Sequence, residues 1–132
     1  MNRDKLLELY KKYELTKDDV YKHQHYVIIT RQGIDKIQGI EQININYEVI
    51  KCETNFAVVK ATARIEFKED AITTETFGSA LRGDSFKEGN CNSWYVMEMA
   101  EKRAMSRAVL KLTGFYELGV FGEDESDDFK KK

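Results

Sequence analysis

The chain contains no proline in 132 residues. Nothing in it therefore forces a kink or strips a backbone donor, and long uninterrupted elements are expected. It has only two cysteines, Cys52 and Cys91, with no CxxC spacing. That excludes a disulfide scaffold or a cysteine-rich zinc module and leaves two reduced thiols as the reading. No apolar run approaches the roughly 20 residues that cross a bilayer, and no signal-peptide pattern opens the chain. Membrane contact and export are not expected, and the cytoplasm is the expected location. Nor does one sign of charge dominate: the formal net charge is −2. Any nucleic-acid surface must then be a local patch.

Catalytic patterns are missing too. There is no GxxxxGK[ST] phosphate loop, no GxSxG elbow and no HExxH pair. His23 and His25 stand two apart without a third ligand nearby, and the acids are not grouped as a metal-dependent nuclease needs. Glu66 and Glu75 fall on neighbouring strands, where such charges are usually solvated. The expectation is a non-catalytic protein with neither cofactor nor metal. A small nuclease ranks last.

What is present is organised around Asn92 to Gly114. Asn92 and Ser93 read as N-cap residues and Gly114 as the C-terminal cap, with no glycine between. Met97, Ala100, Ala104, Ala108 and Leu112 recur at helical spacing, widened by Met105 and Val109. Arg103, Arg107 and Lys111 form a second line, each four residues after the last. No carboxylate stands three or four residues from any of them. A solvated face and salt bridges to other segments are the plain readings of this line. A stripe that tracks phosphates is the sharper one.

Upstream, residues 4–13 read as an amphipathic helix and Thr16 with Asp19 as a variant capping box, followed by a short helical turn through Val20 and Tyr21. His25–Thr30 reads as a strand. Arg31–Ile40 returns to helical spacing, with Gly33 and Gly39 weakening it or marking its ends. Ile43–Lys51 and Phe56–Phe67 alternate as strands, the second with an unbroken apolar face of Ala57, Val59, Ala61, Ala63, Ile65 and Phe67. Glu53-Thr54-Asn55 and Lys68-Glu69-Asp70 read as turns, and Ile72–Gly78 as a third strand. The fold class is α+β: a three-stranded antiparallel meander packed against a long C-terminal helix, with N-terminal helices and a short extra strand. Residues 1–122 form one domain. Residues 123–132, with five acids and three lysines, read as a disordered acidic tail.

Basic residues supply the candidate binding set. Lys60 and Arg64 share the non-core face of the second meander strand. Arg31 and Lys36 flank the second helix. Gly78–Asn92 reads as a glycine-punctuated loop in which Arg82 and Lys87 offer donors ahead of a helix N-terminus, either as an anion site or as a flexible surface loop.

The run MAEKRAMSRAVLKLTGFYELGVFGEDESDDF (Met99–Phe129) is similar to the closing helix and acidic tail of small phage-type single-strand annealing proteins. HYVIITRQGIDKIQGI (His25–Ile40) resembles their opening strand and helix, and the element order resembles the annealing core of the eukaryotic Rad-fifty-two recombination mediator. The resemblance implies ATP-independent annealing of single-stranded DNA in recombination or phage replication, by a homo-oligomeric ring or short filament. Arg103, Arg107 and Lys111 match the basic closing helix, and Arg31 and Lys36 the basic opening segment. The long C-terminal partner-binding region of larger members has no counterpart. The tail is open to three readings: solubiliser, competitor for the groove, or docking point for a protein partner. A non-catalytic interaction adaptor of a phage or mobile element is the alternative function.

Overall fold

The computed structural model describes residues 3–23, 26–83, 89 and 95–123. In chain order these form α1 (Arg3–Lys12), β1 (Val20–His23), β2 (Tyr26–Ile29), α2 (Arg31–Glu41), β3 (Asn44–Cys52), β4 (Phe56–Glu66), β5 (Ala71–Leu81), α3 (Val96–Thr113), a 3-10 turn (Tyr116–Leu118) and β6 (Val120–Gly122). The α+β architecture is as expected. Strands β3-β4-β5 make an antiparallel meander, and α3 packs on β4 and β5. Both hairpins close where the turn residues stand, through Glu53 N–H to Phe56 O at 2.7 Å and Phe67 N–H to Asp70 O at 2.8 Å.

The meander is held by its buried face. Along β4, Ala57, Val59, Ala61, Ala63 and Ile65 are buried under α3, while the alternate residues are not. Opposite them Ala100, Ala104 and Ala108 are fully buried, and their small side chains let helix and sheet approach closely. Gly78 is the sheet's half of that approach. A Cβ there would overlap the Ala100 carbonyl oxygen and the Ala104 amide nitrogen. Gly78 therefore lies inside β5, which runs on to Leu81, and does not open a loop. Glycine in a strand marks a near backbone neighbour as readily as a turn.

Other expectations are corrected. Val20 and Tyr21 belong to β1, not to a helical turn, because they pair with Ile29 and Ile28 of β2. A second sheet exists, ordered β1-β2-β6, with β6 parallel to β2. Helix α2 runs through Gly33 and Gly39, and Thr30 caps it by accepting the Gly33 N–H. Helix α3 begins at Val96 with Tyr95 at its cap and ends on Gly114 at φ 91°. Asn92 and Ser93 lie outside the described residues, as do His25 and residues 124–132. Phe67 falls beyond β4 and is 57 % exposed. Because β6 and α2 also pack on α3, the helix is buried on more than its alanine stripe. Ser106 lies against Gly122, about 200° round the helix from Ala104.

Two carboxylates tie the N-terminal segments down. Asp19 is fully buried and accepts from the Thr16 N–H, from Gln32 Nε2 at 3.0 Å and from Lys36 Nζ at 2.7 Å. Burial alone would push its pKa up. The Lys36, Thr16 and Gln32 donors outweigh that and hold it below the usual 3.8. Glu41 is held below 4.5 by hydrogen bonds from Lys12 and then from the Tyr13 phenol. Both groups bind protons less readily folded than unfolded. Their stabilisation is thus complete above those ordinary values and is lost as pH falls through the lower folded ones. Thermal melts from pH 6 to pH 3 are expected to show Tm dropping below about pH 4.5. Lys36→Met is expected to move that drop to higher pH, because burial of Asp19 is then opposed only by the Thr16 and Gln32 donors.

Candidate nucleic-acid interface

The meander has a second face, and α3 does not cover it. The β4 residues on that side are Phe56, Val58, Lys60, Thr62, Arg64 and Glu66. Register adds their neighbours, since directly opposed residues project the same way. Lys60 stands between Glu48 and Phe77, Thr62 between Asn46 and Glu75, Arg64 between Asn44 and Thr73, and Val58 opposite Lys51 and Ser79. Phe77 is 50 % exposed, and Lys51 Nζ lies 6.0 Å from the Phe56 ring centroid. The face thus sets the cations Lys51, Lys60 and Arg64 among the carboxylates Glu48, Glu66 and Glu75, accessible rings, and amide or hydroxyl groups.

Its cations are lightly held. Lys60 Nζ is 3.2 Å from Glu75 Oε2, Arg64 Nε 3.2 Å from Glu66 Oε1, and Lys51 Nζ 3.5 Å from Glu53 Oε1. At least one partner of each pair is about half exposed, and such pairs contribute about 0–1 kcal/mol.

The helical line behaves differently. Arg103 is only 4 % exposed, and its Nη1 donates to the Ser79 carbonyl at 2.8 Å. Arg107 Nη1 donates to the Phe77 carbonyl at 3.0 Å. These two guanidiniums brace β5 and do not form an outward stripe. Lys111 is exposed, with its ammonium 5.7 Å from the Tyr116 ring centroid. That ring meets Phe121 edge-on, and Phe121 meets Tyr26.

The remaining candidates are dispersed. Arg31 opens α2, and its backbone N–H donates to Glu123 Oε1. Lys36 is committed to Asp19. Arg82 follows β5, its backbone N–H donating to Asn55 O. Lys87 lies outside the described residues. Of the nine candidates, Lys60 and Arg64 therefore share an open face, with Arg103 and Arg107 behind its β5 edge. Lys51, Phe56 and Phe77 were missed by sequence reasoning. The signal for Phe77 was its place in the polar phase of β5, hidden while Gly78 was read as the strand's end.

Among the described residues no group of three His, Cys, Asp or Glu side chains is placed to hold a metal, and no helix is long and apolar enough to cross a membrane. No protein-family model, no curated protein and no solved structure matches this chain.

Proposed function

We propose that this chain binds single-stranded DNA along the open face of its meander and promotes annealing of complementary strands without ATP, as a homo-oligomeric ring or filament serving recombination or phage replication in the bacterial cytoplasm. The observation that carries the reading is the juxtaposition of Lys51, Lys60 and Arg64 with the accessible Phe77 ring on one uncovered sheet face. Bare sheets with aromatic and basic side chains suit single strands, because every base has a stacking surface and every nucleotide a phosphate. Lys60 and Arg64 are separated by about 13 Å along β4, the rise of about four stacked nucleotides. The resemblance read at Met99–Phe129 and His25–Ile40 suggests annealing as the activity, without bearing on which face holds the strand.

The energetics fit annealing better than storage. Each cation must leave a carboxylate to take a phosphate, so one chain binds weakly and without regard to sequence. Several chains in one assembly add their weak sites, while the bases remain exchangeable. Mixing the protein with complementary oligonucleotides at low salt, without nucleotide triphosphate, is expected to accelerate duplex formation, with the acceleration disappearing as salt rises. No acceleration by the folded protein counts against the proposal.

A protein-docking adaptor is the second reading, favoured by the exposed Ile72, Phe77 and Leu81 on β5. It predicts no retention of labelled oligonucleotide at low salt.

A further inference from the structure

The meander has two free edges, and they are unlike. The Phe67–Asp70 hydrogen bond sets the alternation of the β4–β5 ladder. Ser79 and Phe77 consequently aim their carbonyls away from β4, and Arg103 and Arg107 occupy those two carbonyls. The Phe77–Ser79 stretch of the β5 edge is thereby closed to another strand. By the same alternation, Ile45, Tyr47 and Val49 turn their N–H and C=O groups away from β4 at the β3 edge. Eight of the nine β3 residues are exposed. Helix α3 crosses β4 and β5 and leaves β3 nearly uncovered, so Tyr47 is 43 % and Val49 55 % exposed although both point to the core side of the sheet. A regular edge with apolar side chains on its inner face is a template for strand pairing.

We infer that β3 pairs antiparallel with β3 of a second copy of this chain, on a two-fold axis at Tyr47. The occupant follows from the pattern of the strand itself. The regular part of β3 ends at Val49, where a bulge begins. Within it, polar residues must face polar ones and outward-pointing backbone must face outward-pointing backbone. Centring on Asn46 leaves Val49, the most exposed apolar residue of the strand, outside the pair. Centring on Glu48 sets two carboxylates against each other. Centring on Tyr47 matches Ile45 with Val49 of the partner copy, Tyr47 with itself and Asn46 with Glu48. It engages all three outward-facing residues and leaves the other surfaces of the chain free for assembly beyond the pair. The result is a six-stranded sheet with both open faces on one side. This pairing does not rest on the nucleic-acid reading and is tested without DNA.

Two measurements test it. Sedimentation of the full chain from about 1 to 200 µM, a range chosen because so small an edge supports micromolar affinity, is expected to show exchange to at least twice the 15.4 kDa chain mass. A chain that stays monomeric throughout overturns the proposal. In a background carrying Cys52→Ser and Cys91→Ser, Tyr47→Cys is expected to give a disulfide-linked dimer under mild oxidation, since opposed residues there lie at about the 5.5 Å Cα spacing a disulfide spans. Asn46→Cys is expected to remain largely unlinked. Linkage through Asn46→Cys in preference to Tyr47→Cys overturns the register, and absence of linkage in both overturns the interface.

Discussion

Gly78→Ala is expected to destabilise the chain by about 3 kcal/mol or more, enough to leave much of it unfolded. The added methyl meets backbone, not a side chain that can rotate away. It overlaps the Ala100 carbonyl and the Ala104 amide and comes within 3.1 Å of the Ala104 Cα. Relief requires α3 to lift from β5, and that opens the contact between Ala100, Ala104 and Ala108 and the inner face of β4. The same motion stretches the Thr76 Oγ1 hydrogen bond to the Ala104 carbonyl, now 2.7 Å. Urea denaturation of wild type and variant measures the difference. A loss below about 1 kcal/mol would mean that the helix does not rest on the sheet so closely.

Arg103→Ala is expected to lower stability by about 3 kcal/mol while leaving oligonucleotide affinity per folded chain within about twofold. The guanidinium is buried and satisfies an outward carbonyl of β5, so its removal leaves the Ser79 oxygen short of a donor and a gap beside the helix. The phosphate-stripe reading predicts the reverse, a stable protein that has lost DNA binding. Denaturation and fluorescence anisotropy on the same preparation separate the two.

That contrast shows what could be read from residues alone. The β4 alternation was legible because one face is wholly buried and the period of a strand is unambiguous over eleven residues. The C-terminus of α3 was legible because Gly114 takes a left-handed conformation that glycine adopts at no steric cost. The alignment of Arg103, Arg107 and Lys111 was also correct, but a helical wheel does not say how many sides of a helix are covered. Here Arg103 and Arg107 turn onto outward carbonyls of β5, 24 and 30 residues earlier, and β6, a three-residue strand whose partner lies over ninety positions earlier, covers a further side. No local pattern reports such a pairing. Val20 and Tyr21 were misread for the same reason, since a four-residue strand is defined by its partner. Lys36 looked like a spare cation because its buried partner Asp19 sits seventeen residues away, with β1 and β2 between them. Within the candidate interface, Lys60 and Arg64 were visible from strand phase. Lys51 and Phe77 needed the register of three strands.

The proposed site for a strand is the open sheet face and not the α3 line. The most direct measurement is the salt dependence of single-stranded oligonucleotide binding by wild type, by the double variant Lys60→Ala with Arg64→Ala, and by Lys111→Ala. The double variant is expected to bind at least about tenfold more weakly, with a log–log salt slope shallower by about one to two, while Lys111→Ala binds nearly as wild type does. An unchanged slope in the double variant, with the loss appearing in Lys111→Ala, would place the strand elsewhere and contradict the assignment.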